Sequence, residues 1–150
     1  MRVTIQRVTE AVVKINEITV GEIQKGLLVL IGIENKDNFD DIKWLTQKII
    51  NLRIFPDKNA PMNKSVLDVN GEILVVSQFT LYASTKKGNR PSFIFSGEPK
   101  FAKKMYHQFV DNLERVTGKK IKTGKFGADM KISLINDGPV TINIDSKRKE

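Results

Sequence analysis

The chain has 150 residues, 40% of them hydrophobic and 28% charged, with no cysteine and a single histidine, His107. That length and mix suit one soluble globular domain with a real core, and they exclude disulfides, thiolate chemistry and a zinc site of the usual histidine and cysteine kind. Lys plus Arg number 25 against 17 Asp plus Glu, and the net charge of +8 favours a polyanion such as nucleic acid, or serves solubility alone.

Met1 to Arg7 lacks the apolar core of a signal peptide, and the longest apolar run, Gly26 to Ile33, is too short to span a bilayer. A cytoplasmic protein with no membrane partner is expected. Arg2 to Val8 alternates apolar and polar residues as a half-buried strand does. Ala11 to Ile15 and Ile18 to Ile23 flank Asn16-Glu17, a tight hairpin turn. Gly26 to Ile33 reads as a central strand buried on both faces. Asp37 or Asn38 caps a helix from Phe39 to Leu52, whose apolar stripe is Ile42, Leu45, Ile49 and Leu52. Asp40 and Asp41 fall in its first turn, where they complement the helix dipole and need no catalytic reading.

Arg53 to Gly71, with two prolines and an Asn70-Gly71 turn signal, is irregular. Ile73 to Leu81 reads as a strand that starts buried and ends in interleaved polar residues. Ser84 to Pro99 is a loop carrying Lys86, Lys87 and Arg90. Pro99 opens a second helix that ends at Thr117 before Gly118. His107 lies on that helix as a surface or boundary residue. Lys131 to Ile135 and Val140 to Ile144 form two short strands broken by Gly138-Pro139, a hairpin connection or a rigid backbone device that presents carbonyls to a ligand. Residues from about 145 to 150 read as a flexible basic tail. The expected fold is α+β: mixed or antiparallel, barrel-like sheet with two main helices, in a single domain over 1–150.

No nucleophile elbow, phosphate-binding loop or dinucleotide fingerprint is present. Two stretches remain that can carry chemistry. Ser77-Gln78-Phe79-Thr80-Leu81 places backbone N–H groups and hydroxyls at a strand mouth, as oxyanion stabilisation requires. Asn136-Asp137-Gly138-Pro139-Val140-Thr141 is the second.

Together these stretches closely resemble the two signature motifs of the D-aminoacyl-tRNA deacylases. The resemblance runs through Gln6-Arg7-Val8, Gly26 to Gly32, Arg53-Ile54-Phe55, Arg90-Pro91-Ser92-Phe93 and Thr123 to Met130. It implies a two-fold homodimer without metal or cofactor. The reaction it implies is hydrolysis of the ester between a D-amino acid, or glycine mischarged on tRNA(Ala), and the 3′-terminal adenosine of tRNA. Ser77, Gln78, Phe79 and Thr80 would line the catalytic pocket. Gly138 and Pro139, joined by a cis bond, would enter it from the partner subunit and select chirality. Arg7 would orient that dipeptide, and Phe126, Ala128 and Met130 would shape the adenosine pocket. Thr80 has no neighbouring base in sequence, which favours attack assisted by the 2′-hydroxyl of the substrate over a threonine nucleophile. The competing reading is a non-catalytic basic dimer that binds RNA ends.

Overall fold

The computed structural model describes residues 1–149. Alternation at the start of the chain extends further than expected: Arg2–Ile15 is one strand, β1, not two. Thr9 absorbs the break, because Val8 pairs with Asn136 and Glu10 with Ile135 across the neighbouring strand. Asn16 and Glu17 take φ of 48° and 64°, the left-handed pair that a two-residue hairpin demands, and lead into β2, Ile18–Ile23. The apolar run becomes β3, Gly26–Gly32, buried along nearly its whole length.

β3 then pairs in parallel with β4, Glu72–Ser77, and β4 with the two-residue β5, Lys122–Thr123. β1 runs antiparallel to β2, to β3 and, along its other edge, to β6, Lys131–Asp145. β2 also packs near β5, so the mixed sheet nearly closes into a barrel. Helix α1, Phe39–Asn51, and helix α2, Pro99–Thr117, pack against each other and cover the main core of Val3, Ile5, Val29, Ile31, Leu45, Phe55 and Phe109. Among the described residues no helix is long and apolar enough to cross a membrane.

Three expectations need correction. The strand read as Ile73 to Leu81 stops at Ser77, and Phe79–Tyr82 is a 3₁₀ turn. The Gln78 amide turns back to donate to the Ile31 carbonyl at 2.7 Å, which ends the extended run. The two strands around Gly138-Pro139 are one interrupted strand, since both halves pair with β1 instead of with each other; this replaces the hairpin reading. The tail begins fastened. Ser146 is buried, accepts from the Met1 amine at 2.8 Å and donates to Asp41 at 2.7 Å, while Lys147 Nζ reaches Asp41 at 2.6 Å. Asn38, not Asp37, caps α1, with its side chain accepting from the amides of Asp40 and Asp41. Asp37 instead holds the Met1 amine.

Candidate active site

The end of β4 and the segment after β5 converge on one cavity of about 290 Å³. Ser77, Gln78 and Phe79 form one wall, and Phe126, Ala128 and Met130 another, with Ile31, Ile33, Val76, Gly127 and Ile132 between them. Six of the residues expected at the site therefore share one cavity, although about fifty positions separate the two groups in sequence. Larger clefts of about 560 and 700 Å³ open beside Arg2 and Asp145. Part of their charged lining is engaged, Arg2 by Asp145 and Lys147 by Asp41, and neither cleft contains any of the six expected residues that line the smaller cavity.

Each wall has a local cause. Parallel pairing with β3 carries β4 to Ser77, and the turn that follows leaves Phe79 56% exposed with Phe93 edge-on at 5.0 Å between ring centroids. Phe126 leans on the buried Tyr106 ring at 5.7 Å, and the Tyr106 hydroxyl donates to the Val75 carbonyl at 2.9 Å. Burial raises the Tyr106 hydroxyl well above its ordinary value, so it stays a neutral donor. Met130 bends over Gly124, where any Cβ would lie 2.5 Å from its sulfur.

The chemistry on offer is narrow. No side chain lining the cavity is titratable, so the chain's own lining supplies no general acid or base. Of the three backbone donors at the strand mouth, that of Gln78 is consumed by Ile31. The amides of Phe79 and Thr80 have no acceptor among the described residues. Thr80 itself lies just outside the lining, exposed, with its hydroxyl accepting from Gln78 Nε2 at 2.5 Å.

Arg7, Gly138 and Pro139 are gathered elsewhere, and none of them lines this cavity. Gln6 pairs with Thr141 and Val8 with Asn136, so Asp137, Gly138, Pro139 and Val140 all stand opposite the single residue Arg7. The Gly138-Pro139 bond is cis, and both residues are exposed. Arg7 is 7% exposed; Nε donates to the Asp137 carbonyl at 3.1 Å, and Nη1 to the Ile54 carbonyl at 2.5 Å. Asn136 closes the base of the loop, accepting from the Val140 amide at 3.0 Å and donating to Thr141 at 2.9 Å. Sequence reasoning missed Asp137 and Asn136 as the parts that shape this loop. The polar pair before Gly138-Pro139 was the available signal, since short amide and carboxylate side chains bond nearby backbone.

Residues 4–145 match the family described as D-Tyr-tRNA(Tyr) deacylase. The chain is 65% identical to the D-aminoacyl-tRNA deacylase of Flavobacterium psychrophilum over 150 residues, all of both chains. A solved structure described as c-Myc DNA Unwinding Element Binding Protein superposes with a TM-score of 0.91 at 39% identity, covering 97% of this chain and 98% of that one. A probable eukaryotic D-amino acid tRNA deacylase shares the fold, with a TM-score of 0.82 at 17% identity over 95% of this chain and 98% of its own.

Proposed function

We infer the working of this cavity from the premise that the chain belongs to the D-Tyr-tRNA(Tyr) deacylase family: it is a hydrolase that frees tRNA of a D-amino acid, a proofreading step in translation. One observation carries the reading of the site. The strand mouth at Ser77 to Phe79 and the Phe126 to Met130 segment face each other across a single cavity.

In this reading the 3′-terminal adenosine packs between Phe126, Ala128 and Met130, and its ester carbonyl points at the amides of Phe79 and Thr80. Two preorganised donors stabilise the oxyanion as water attacks. Proton transfer falls to the adenosine 2′-hydroxyl, since the cavity wall holds no base. Gly138 and Pro139 come from a second copy of the chain. Their exposure on β6, away from their own cavity, supports this arrangement. Their carbonyls accept from the α-ammonium and leave no room for a side chain of L configuration, so rejection is steric. Glycine has no side chain to reject, which makes glycyl-tRNA(Ala) a further substrate. The assembly is a two-fold homodimer that works in the cytoplasm, without a metal or cofactor.

The test is incubation of purified protein with D-aminoacyl-tRNA and its L counterpart, following the ester in acid-precipitable counts. Loss of the D ester alone is expected. Binding of both without ester loss would favour a non-catalytic RNA-end binder.

A further inference from the structure

Phe126 lines two spaces, not one. One is the cavity at Ser77 to Phe79; the second is a cleft of about 480 Å³ between α2 and the Lys120 to Phe126 segment. We propose that this second cleft holds the nucleotides that precede the terminal adenosine, with Lys103 and Lys125 on their phosphates. The proposal rests on the deacylase reading, which places the adenosine against Phe126, and extends the RNA-binding surface beyond it.

Four observations converge on that use. Contiguity comes first: Phe126 belongs to both linings, so a strand whose last base lies against it has the cleft within reach. Charge is the second. Lys103, Lys120 and Lys125 line the cleft, and Lys122 is exposed beside it. Lys120 is engaged by Glu114 at 2.9 Å, whereas Lys103 and Lys125 have no ion-pair partner among the described residues. Third, the acidic residues of the lining leave that charge in excess. Glu114 is spent on Lys120 and on the Ile121 amide, which leaves Asp111 as the one uncommitted carboxylate. Fourth, His107 lines the cleft edge-on to Tyr106 at 5.6 Å between centroids, and gives a ring on which a base can stack. Lys103, His107 and Asp111 recur every fourth residue on α2, so one helix face presents all three. Phosphate contacts of this kind set register without reading sequence.

The test compares two substrates and one probe. The substrates are D-aminoacyl-tRNA and the corresponding 3′-O-D-aminoacyl adenosine, which carries no preceding nucleotide. The probe is a fluorescent single-stranded RNA ending in CCA. For Lys103→Glu with Lys125→Glu, the ratio of kcat/KM on tRNA to that on the adenosine ester should fall about tenfold. The salt slope of log affinity for the probe should flatten by about 0.7 for each phosphate no longer neutralised. Asp111→Asn should tighten probe binding. Lys58→Glu with Lys64→Glu changes net charge equally, far from the cleft in sequence, and should move the ratio much less. An unchanged ratio, or an equal fall in both charge-reversed pairs, would overturn the proposal. A wild-type protein that hydrolyses neither ester would remove the deacylase reading instead, and probe binding would still decide the cleft.

Discussion

Arg7 Nε lies 3.1 Å from the carbonyl oxygen of Asp137 and 3.1 Å from its carboxylate. One buried guanidinium thus spans the gap where four residues of β6 stand opposite one residue of β1. Its Nη1 is anchored at Ile54, just beyond α1, so the Gly138-Pro139 loop is tied to the helical layer as well as to the sheet. A planar, permanently charged fork suits this task, since it serves several acceptors in fixed directions.

Removing those donors should loosen the loop without unfolding the domain. Arg7→Met keeps the apolar stem but leaves the carbonyls of Asp137 and Ile54 without their donor. A stability loss of about 1–3 kcal/mol is expected, which is roughly 2–4 °C in Tm per kcal/mol for a chain of this size. Hydrolysis of D esters should drop about a hundredfold, because misplacing a selecting group by an ångström costs that much. Thermal melts and single-turnover deacylation measure the two effects separately.

Gly138 offers a second probe of the same loop. Its φ is +124°, a region L side chains rarely adopt, and an added Cβ would lie 2.8 Å from Arg7 Nη2 and 2.9 Å from Val140 Cγ2. Gly138→Ala should therefore cost about 1–3 kcal/mol in strain and displace either the loop or Arg7. Reduced discrimination between D- and L-aminoacyl-tRNA is the readout, with circular dichroism confirming the fold.

The proposed exchange of loops between subunits makes activity depend on assembly. Ile135, two residues before Asp137 on β6, is 54% exposed in the single chain. In a two-fold dimer built on this face it would be covered by the partner. Ile135→Lys should give a folded monomer by light scattering with little deacylase activity. A fully active monomer would eliminate insertion from the partner.

Much of this fold was legible because local signals agreed with tertiary demands. Asn16 between two β-runs and Gly118 after the second helix took the left-handed conformations their types and positions foretold, and Glu17, whose type does not favour it, follows Asn16 into the same region because the two-residue turn requires it. The misreadings have a common cause. Gln78-Phe79-Thr80-Leu81 alternates polar and apolar residues just as a strand does, and period alone does not reveal that the Gln78 amide turns back to Ile31. Gly138-Pro139 marks an interruption, but only the length of β1, which pairs with both halves of β6, decides between a hairpin and a looped-out segment. In the same way, Ser146 and Lys147 look like a tail until Asp41 and the Met1 amine are placed beside them.

That fastening has a pH signature. Burial alone would raise the Asp41 carboxyl, but hydrogen bonds from Lys147, Ser146 and the Asn38 amide outweigh it and hold the group below its ordinary 3.8. A carboxylate depressed in the folded state contributes stability above its unfolded value and loses it as pH falls through the folded one. Lys147 is raised above 10.5, chiefly by its hydrogen bond to Asp41, and so contributes below that value and loses the contribution as pH rises past it. Their contribution should be constant between the two limits and fall off outside them. Asp41→Asn should cost about 1 kcal/mol at neutral pH and converge on wild type in acid, as followed by urea titrations across the range.

The last prediction separates backbone from side-chain catalysis. Thr80 carries a hydroxyl just outside the cavity, as Ser77 does in its lining, yet the Thr80 oxygen accepts from Gln78 Nε2, and no titratable side chain lines the space to take a proton from either. A hydroxyl without a base is a poor nucleophile at neutral pH. If Thr80 attacked the ester, Thr80→Ala would abolish turnover. If the amides of Phe79 and Thr80 stabilise the oxyanion, alanine retains both donors, and the single-turnover rate should stay within about tenfold of wild type, the cost of removing one side-chain interaction. Removing a donor is the complementary experiment. Replacing Thr80 by its α-hydroxy acid analogue through semisynthesis exchanges the amide N–H for an ester oxygen and leaves the side chain in place. Loss of one oxyanion donor is worth roughly 10²–10³ in rate, so that substitution should slow hydrolysis far more than Thr80→Ala. The reverse order, with a dead Thr80→Ala and a nearly normal backbone ester, would establish a threonine nucleophile and overturn the mechanism.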